Sequence, residues 1–584
     1  MRIHTISILA LCSSVLILGC GESSGHASLD SGPQADSGAE ADGAADADAD
    51  GDADTDVDTD TDSDADSDAD TDADADADAD GDADMDGDAD AALDAATDAA
   101  ADAGTDAATD AGVGFLYRWH TFYGSGSQDT GQSVAVDQNG NVYLAGYSYA
   151  SWDGPGSQSP LHAFSGTGKD DVFVLKLNAS GAYQWHTFYG CSGYDDYTLG
   201  NSLAVDGSGN VYLTGVSKDS WNGPGATSPL NAHSGAAGTS DIFVLKLDTN
   251  GAYQWHTFFG HINSGDTGMA LTADASGNLY VAGYSSASWD GPGPTSPLHA
   301  HSGSNDIAVL KLDTNGVYQW HTFYGSSDGE APYAIILDGS GHLYLTGYSY
   351  ASWDGPGPTS PIHAFTGSVG NANIAVLKLT TTGAYQWHTF YGSTNWGCAY
   401  ALAMGAGGSL YLSGYASAAW DGPASKSPLH AFSVGADNLV VLKLSAAGAY
   451  QWHTFYGSGD GKTGSYGLAV DGSGNVVVTG YAEEPWDGPS GQSPLHAFTG
   501  AAALDAGVKP YDLYLLDLSP SGAYRWHTFL GGDYTDFGYG LAMDGSKNLL
   551  LVGYSYASWD GPGGKSPLHA YQASSDILVM KSTL

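Results

Sequence analysis

Cysteine, cations and long apolar runs are the three things this chain has little of. Only 4 of its 584 residues are cysteine. Cys12 lies inside an N-terminal apolar stretch and Cys20 ends it, so Cys191 and Cys398 alone remain for the rest, which excludes a disulfide framework. Lys and Arg total 16 against 68 Asp and Glu, a net charge of −52. Without clustered bases there is nothing to neutralise phosphates, and nucleic acid is excluded as a partner. No apolar stretch reaches the length of about 18 residues that a membrane helix needs, so the mature chain is expected to have no transmembrane helix. Local motifs for a nucleophile elbow, a phosphate loop or a zinc-protease helix are also missing. That does not exclude an enzyme, because a site can be assembled from segments distant in sequence.

The first 20 residues read as an export signal: a basic start at Arg2, an apolar stretch over 6–17 and a small-residue junction at Gly19-Cys20. Ile17-Leu18-Gly19-Cys20 resembles the lipobox of bacterial lipoproteins. The resemblance implies that Cys20 is lipidated and opens the mature chain; an ordinary cleaved signal is the alternative. The protein is therefore expected to be exported and anchored to the cell envelope, at the outer membrane or cell surface, touching the membrane through lipid only. Residues 21–113 form an Asp/Ala-rich linker. From Asp46 to Asp90 every even-numbered residue is Asp, spaced by small residues that offer no apolar face to offset ordering entropy. Neighbouring carboxylates within a Debye length of about 8 Å repel, so a disordered, stretched spacer is expected. It resembles a calcium loop only at Asp46-Ala47-Asp48-Ala49-Asp50-Gly51, without the closing glutamate, so diffuse counterion binding is expected there.

Residues 21–112 hold 33 acids and no base, leaving 35 acids against 15 bases for the remainder after Arg2. That remainder, 114–584, is a repeat. Trp-His-Thr-Phe recurs seven times, at Trp119, Trp185, Trp255, Trp320, Trp387, Trp452 and Trp526, and Trp-(Asp/Asn)-Gly-Pro recurs seven times in alternation with it. One period reads as four short strands, over 133–137, 142–148, 172–177 and 183–189 in the first. Asp137-Gln138-Asn139-Gly140-Asn141 and Asn178-Ala179-Ser180-Gly181-Ala182 supply hairpin turns, so consecutive strands are antiparallel. The expected fold is all-β, a seven-bladed β-propeller of four-stranded antiparallel blades. Its first strand, 117–123, is a fourth strand lacking predecessors, and its last, 577–581, a third strand lacking a successor; pairing them closes the ring and removes the last open edge. Cys191 and Cys398, three repeats apart, are then too distant for a disulfide.

The run Phe122-Tyr123-Gly124, Asp129, Gly131, Ser133-Val134-Ala135-Val136-Asp137, Gly140-Asn141-Val142-Tyr143-Leu144-Ala145-Gly146 and Asp171-Val172-Phe173-Val174-Leu175-Lys176-Leu177 resembles the SBBP β-propeller repeat family of bacterial surface and secreted proteins. The resemblance covers nearly all of 115–584 and implies the fold; that family has no common catalytic motif to transfer. The long segment 150–168 between the second and third strands departs from the family pattern.

Two kinds of site residue stand out. Each insert reads Trp-Asp-Gly-Pro-Gly and then Ser-Pro-Leu-His-Ala-Phe. Seven near-copies point to packing, with Trp152 and Phe164 covering the blade edge; the functional alternative is a ring of sugar-binding pairs, Trp152 with Asp153, Trp289 with Asp290, Trp353 with Asp354 and Trp559 with Asp560. The blade-joining loops vary where the rest repeats, as an asymmetric site requires. They carry Asp129, Asp195, Asp196, Asp266, Asp328, Glu330, Trp396, Asp460, Asp533 and Asp536, which could meet near the axis to bind a polar ligand or calcium, or to supply a glycosidase acid/base pair. The bland alternative is that these acids are solvated and cap nearby amides. His120, His186, His256, His321, His388, His453 and His527 lie on separate blades, too far apart to share an ion, and no metal site or cofactor is assigned; calcium is the one candidate ion. A monomeric binding or adhesion scaffold is expected, for carbohydrate, an envelope component or a surface protein. A polysaccharide hydrolase or lyase and a structural spacer are the alternatives.

Overall fold

The computed structural model describes residues 114–166, 169–192, 196–235, 238–500 and 510–584. The expected signal segment with Cys20, the linker over 21–113 and Asp195 lie outside the described residues.

Local chemistry sets the blade. In blade 1 the strands are Asp129–Val136, Val142–Ser148, Asp171–Leu177 and Tyr183–Tyr189, hydrogen-bonded in sequence order. Asp137 nucleates the first hairpin by accepting from the amides of Asn139 and Asn141, and Gly140 takes the left-handed conformation at φ 76°. Asn178 and Gly181 do the same for the outer hairpin. Both faces of a blade are covered by its neighbours, so the middle strands read as nearly continuous apolar runs such as Asp-Val-Phe-Val-Leu-Lys-Leu, with Phe173 and Leu175 fully enclosed. Seven such sheets are present, and their first strands pack side by side around the axis.

The first strands begin earlier than the sequence pattern indicates, at Asp129 rather than Ser133. Gly131 and Gln132 look like turn residues, yet they pair with the second strand through a β-bulge between Gly131 and Ser133. The bulge drives the Thr130 carbonyl onto Gly146, where a Cβ would collide with it; the glycine in every second strand answers this approach. Blade 2 differs: its first strand is split into Asp196–Tyr197 and Leu203–Val205.

Closure follows the expected pairing. Leu116–Tyr123 lies outermost in blade 7, antiparallel to Asp576–Thr583, with Tyr123 opposite Ile577 and Tyr117 opposite Ser582. Cys191 and Cys398 are buried thiols.

A lysine on six of the seven third strands joins neighbouring blades. Lys176 lies over the Tyr143 ring, 4.8 Å from its centroid, and donates to the carbonyl of Thr249 in the outer hairpin of blade 2 at 2.8 Å. Lys246, Lys311, Lys378, Lys443 and Lys581 repeat this on Thr314, Thr381, Ala446, Pro520 and Ala179. Asp517 breaks the series for a topological reason. The third and fourth strands of blade 7 come from opposite ends of the propeller sequence, so no hairpin offers blade 6 a carbonyl. Asp517 instead pairs with Arg525 at 2.6 Å, and Phe115 fills the seam against Trp526, ring centroids 5.2 Å apart.

Candidate functional site

The inserts are structural. Leu161 donates to the His186 carbonyl and Phe188 to the His162 carbonyl, so each insert lies along the outer strand and covers the exposed sheet edge. Trp152 turns inward and stacks on His186, centroids 3.9 Å apart and planes 8° from parallel. The His186 ring spans two partners, Trp152 O through Nε2 at 2.9 Å and the Tyr183 hydroxyl at Nδ1 at 2.7 Å, which makes Nε2 the protonated nitrogen. The same triad recurs in all seven blades, with stacked pairs from Trp420–His453 at 3.7 Å to Trp559–His120 at 4.3 Å. Burial lowers these histidines to about 4 in six of the seven blades, and His321 in the same direction, so they are neutral packing groups.

Trp152, Trp289, Trp353 and Trp559, the aromatic members of the sugar-ring alternative, are only 5–7% exposed, while Asp153, Asp290, Asp354 and Asp560 are exposed beside them. Phe164 covers the blade as expected, edge-on to Phe188 at 5.5 Å. Among the described residues, no group of three or more His, Cys, Asp or Glu side chains is placed to hold a metal ion.

The loop acids divide into two sets. Asp328, Asp460 and Asp533 are exposed in blade-joining loops. Asp129, Asp196, Asp266, Glu330 and Asp536 instead open the first strands, each at most 1% exposed. Asp129 accepts from the amide and hydroxyl of Ser125 and from the Ser148 hydroxyl. Asp266 and Glu330 fold the same kind of loop onto themselves through His261 and Ser326. The capping part of the bland expectation holds, whereas solvation does not. These five acids each occupy a separate seam, and Gly397 and Thr463 open the first strands at the other two.

What occupies the axis is a set of residues the sequence reading did not single out. The bulge in each first strand turns its extra residue inward: Gln132, Met269, Tyr333, Tyr400, Tyr466 and Tyr539 in blades 1, 3, 4, 5, 6 and 7. The tyrosines form a continuous arc, Tyr333–Tyr400 at 4.4 Å, Tyr400–Tyr466 at 4.7 Å and Tyr466–Tyr539 at 5.1 Å. Blade 2 contributes the segment between its split strands. Gly200 packs against the carbonyls of Met269 and Tyr333, and Asn201 accepts from Leu271 N–H at 3.0 Å, so this segment plugs the blade 3 side. A chamber of about 90 Å³ remains, walled by the four tyrosines on one side and by Gln132 and Asn201 on the other. No charged residue lines it.

Aromatic contacts run from this chamber to the face that carries the inserts and blade-joining loops. Tyr539 touches Tyr554 at 5.8 Å, and Tyr554 touches Tyr556, which is 36% exposed. On the opposite side Tyr333 leads through Tyr348 to Tyr350 and the half-buried Trp396. The signal for the tyrosines was present in the sequence: the position three residues after each first-strand opening reads Gln, Met, Tyr, Tyr, Tyr, Tyr where its flanks repeat.

Residues 118–151, 184–220 and 254–288 match the β-propeller repeat family SBBP. The chain is 26% identical over 189 residues to the uncharacterized WD repeat-containing protein L264 of Acanthamoeba polyphaga mimivirus, covering 28% of this chain and 13% of that protein. It is 28% identical over 207 residues to the regulatory protein FlaEY of Caulobacter vibrioides, covering 35% and 20%. The matched part is a fifth or less of either relative's length. A solved structure of unknown function from Dyadobacter fermentans aligns over 81% of this chain and 99% of its own, with 12% identity and a TM-score of 0.37. The described chain is a seven-bladed β-propeller, three of whose repeats match the SBBP β-propeller repeat.

Proposed function

We propose that the protein is a cell-surface binding or adhesion scaffold, tethered to the envelope through a lipidated Cys20, that takes a neutral carbohydrate at the axial chamber and its aromatic mouth. The observation that supports this is the arc of four tyrosines, each turned to the axis by its own bulge. Ring faces stack on the apolar faces of a pyranose, while Gln132 and Asn201 each offer both a donor and an acceptor to hydroxyls. A chamber without charge favours a neutral ligand, since an ion would enter unpaired. The divergence of Gln132 and Met269 from the tyrosines gives the pocket two unlike sides, as recognition of one orientation requires.

Glycan-array binding by the full chain, with and without calcium, tests the reading. Retention of a neutral glycan that weakens at least about tenfold in Tyr466→Ala is expected, since a lost stacking contact is worth about 0.5–1.5 kcal/mol beyond its area. Silence across a broad array would remove carbohydrate, and release of cleaved product would replace binding with hydrolysis.

A further inference from the structure

Five of the seven seams enclose two carboxylates together. One opens the third strand of a blade and the other the first strand of the next: Asp576 with Asp129, Asp171 with Asp196, Asp241 with Asp266, Asp306 with Glu330, and Asp512 with Asp536, all at most 1% exposed. The pair closes on the glycine that joins the blades. A Cβ on Gly124 would lie 2.7 Å from Asp576 Oδ1 and 2.8 Å from Asp129 Oδ2, and Gly260 is approached likewise by Asp241 and Asp266.

The two members differ in their hydrogen bonds. Glu330 is saturated as an anion: Ser326 N–H donates to Oε2 at 2.8 Å, and the Ser326 and Ser349 hydroxyls donate to Oε1 at 2.7 Å. Asp129 has the matching three donors. The third-strand acids Asp576, Asp306 and Asp512 accept only through Oδ2, from Gln572 N–H, from Ser302 and from Thr499. Oδ1 of each is buried with no hydrogen-bond partner.

The remaining two seams show what belongs there. Asn373 and Asn438 replace the third-strand acid, and Gly397 and Thr463 face them. Asn373 Oδ1 accepts from Thr366 as Asp306 Oδ2 accepts from Ser302, while its Nδ2 donates to the Ser393 carbonyl at 2.9 Å. An amide is the isostere of a protonated carboxyl, so at Asn373 and Asn438 the atom in the position of the unpartnered oxygen is a donor.

We infer that the three pairs at Asp576, Asp306 and Asp512 each hold one proton, carried on the unpartnered Oδ1 of the third-strand aspartate with the first-strand acid as the anion, so that these three seams are protonated joints; Asp171 and Asp241, whose Oδ1 accepts from Ser165 and Ser234, are not assigned one. Two carboxylates enclosed together do not both ionise without cost. Burial holds Asp576 and Asp512 up to about 6, Asp129 and Glu330 up to about 7 and Asp536 up to about 8, with repulsion inside each pair adding to it for the first-strand acids, so each pair keeps a proton; the hydrogen bonds, which leave Oδ1 of the third-strand acid without a donor, place it there. The folded seam therefore keeps a proton that the unfolded chain has lost. That stabilisation is complete in acid and disappears as pH rises through about 6 to 7. Other titratable groups face these pairs: Tyr571 beside Asp576, Asp533 beside Asp512, and His299 and His301 beside Asp306, where protonated imidazoles would favour the anion. The seams at Asp576 and Asp512 are thus the cleanest to test.

The double variant D576N/D512N in the full chain places amides where Asn373 already stands. Its thermal midpoint should match the parent at pH 5 and exceed it at pH 8 by on the order of 3 °C. D129N, which removes the anion, should instead be destabilised at both. A variant-to-parent difference that ignores pH would overturn the inference, as would a parent midpoint at pH 8 that calcium raises and the double variant abolishes, which would assign the seams to a metal. Should the double variant fail to fold, difference infrared of the parent at pH 6 decides: a surviving neutral carboxyl band is expected, and carboxylate bands alone refute the shared proton.

Discussion

Seven times at the outer rim a tryptophan stacks on a histidine, the histidine bridges a carbonyl and a tyrosine hydroxyl, and an insert covers the sheet edge. At the axis the equivalent bulge positions hold Gln132, Met269 and four tyrosines, and blade 2 substitutes a plug. Rim residues meet the same neighbours in every blade, so one packing solution serves all seven. Axial residues from all blades share one small space, which identical side chains would overfill or leave open. The difference teaches where to look for function in a repeat protein: uniform aromatic motifs hold the ring, and the position that varies faces the axial chamber.

The largest effect should come from breaking the rim where it is closed by pairing alone. Deleting 114–123 removes Phe115, Tyr117, Phe122 and Tyr123 from the core and exposes the edge of Asp576–Thr583; loss of the cooperative thermal transition is expected by circular dichroism. Next, Trp420→Ala should cost about 3–5 kcal/mol in urea unfolding, because it empties an enclosed site and strips the stack from His453. An equal cost for Tyr466→Phe at the axis would erase the contrast.

The rim should also be acid-sensitive. Its histidines are lowered to about 4, below the value of exposed imidazole, so their contribution is present above pH 6.5 and lost as pH falls toward 4. Midpoints measured over that range should fall, and His453→Phe should flatten the decline; the seam carboxylates act in the opposite direction. The smallest effect on stability is expected at the axis, where Tyr466→Phe removes one hydroxyl from the chamber wall. A change of less than about 1 kcal/mol in stability, with a measurable loss of glycan retention, would sharpen the division between scaffold and site.

Much of the scaffold was legible before the coordinates. Blade number, strand order and closure through residues 117–123 follow from periodic patterns. Asp129–Val136 was read four residues short because Asp, Thr, Gly and Gln carry turn chemistry; only the ladder to the second strand shows that they extend it. Trp152 and Asp129 were chemically plausible ligands, but burial is not written in a residue's identity. Asp517 stands where the other blades carry a lysine because of where the ring closes.

The sequence by itself determined a closed ring of seven antiparallel blades, because hairpin turns and apolar runs act between residues close in the chain. Only the tertiary structure decided which aromatics are packing and which line a chamber, and which carboxylates share a seam. Those assignments depend on neighbours supplied by other blades, and distances across a ring are invisible in a repeat read one period at a time.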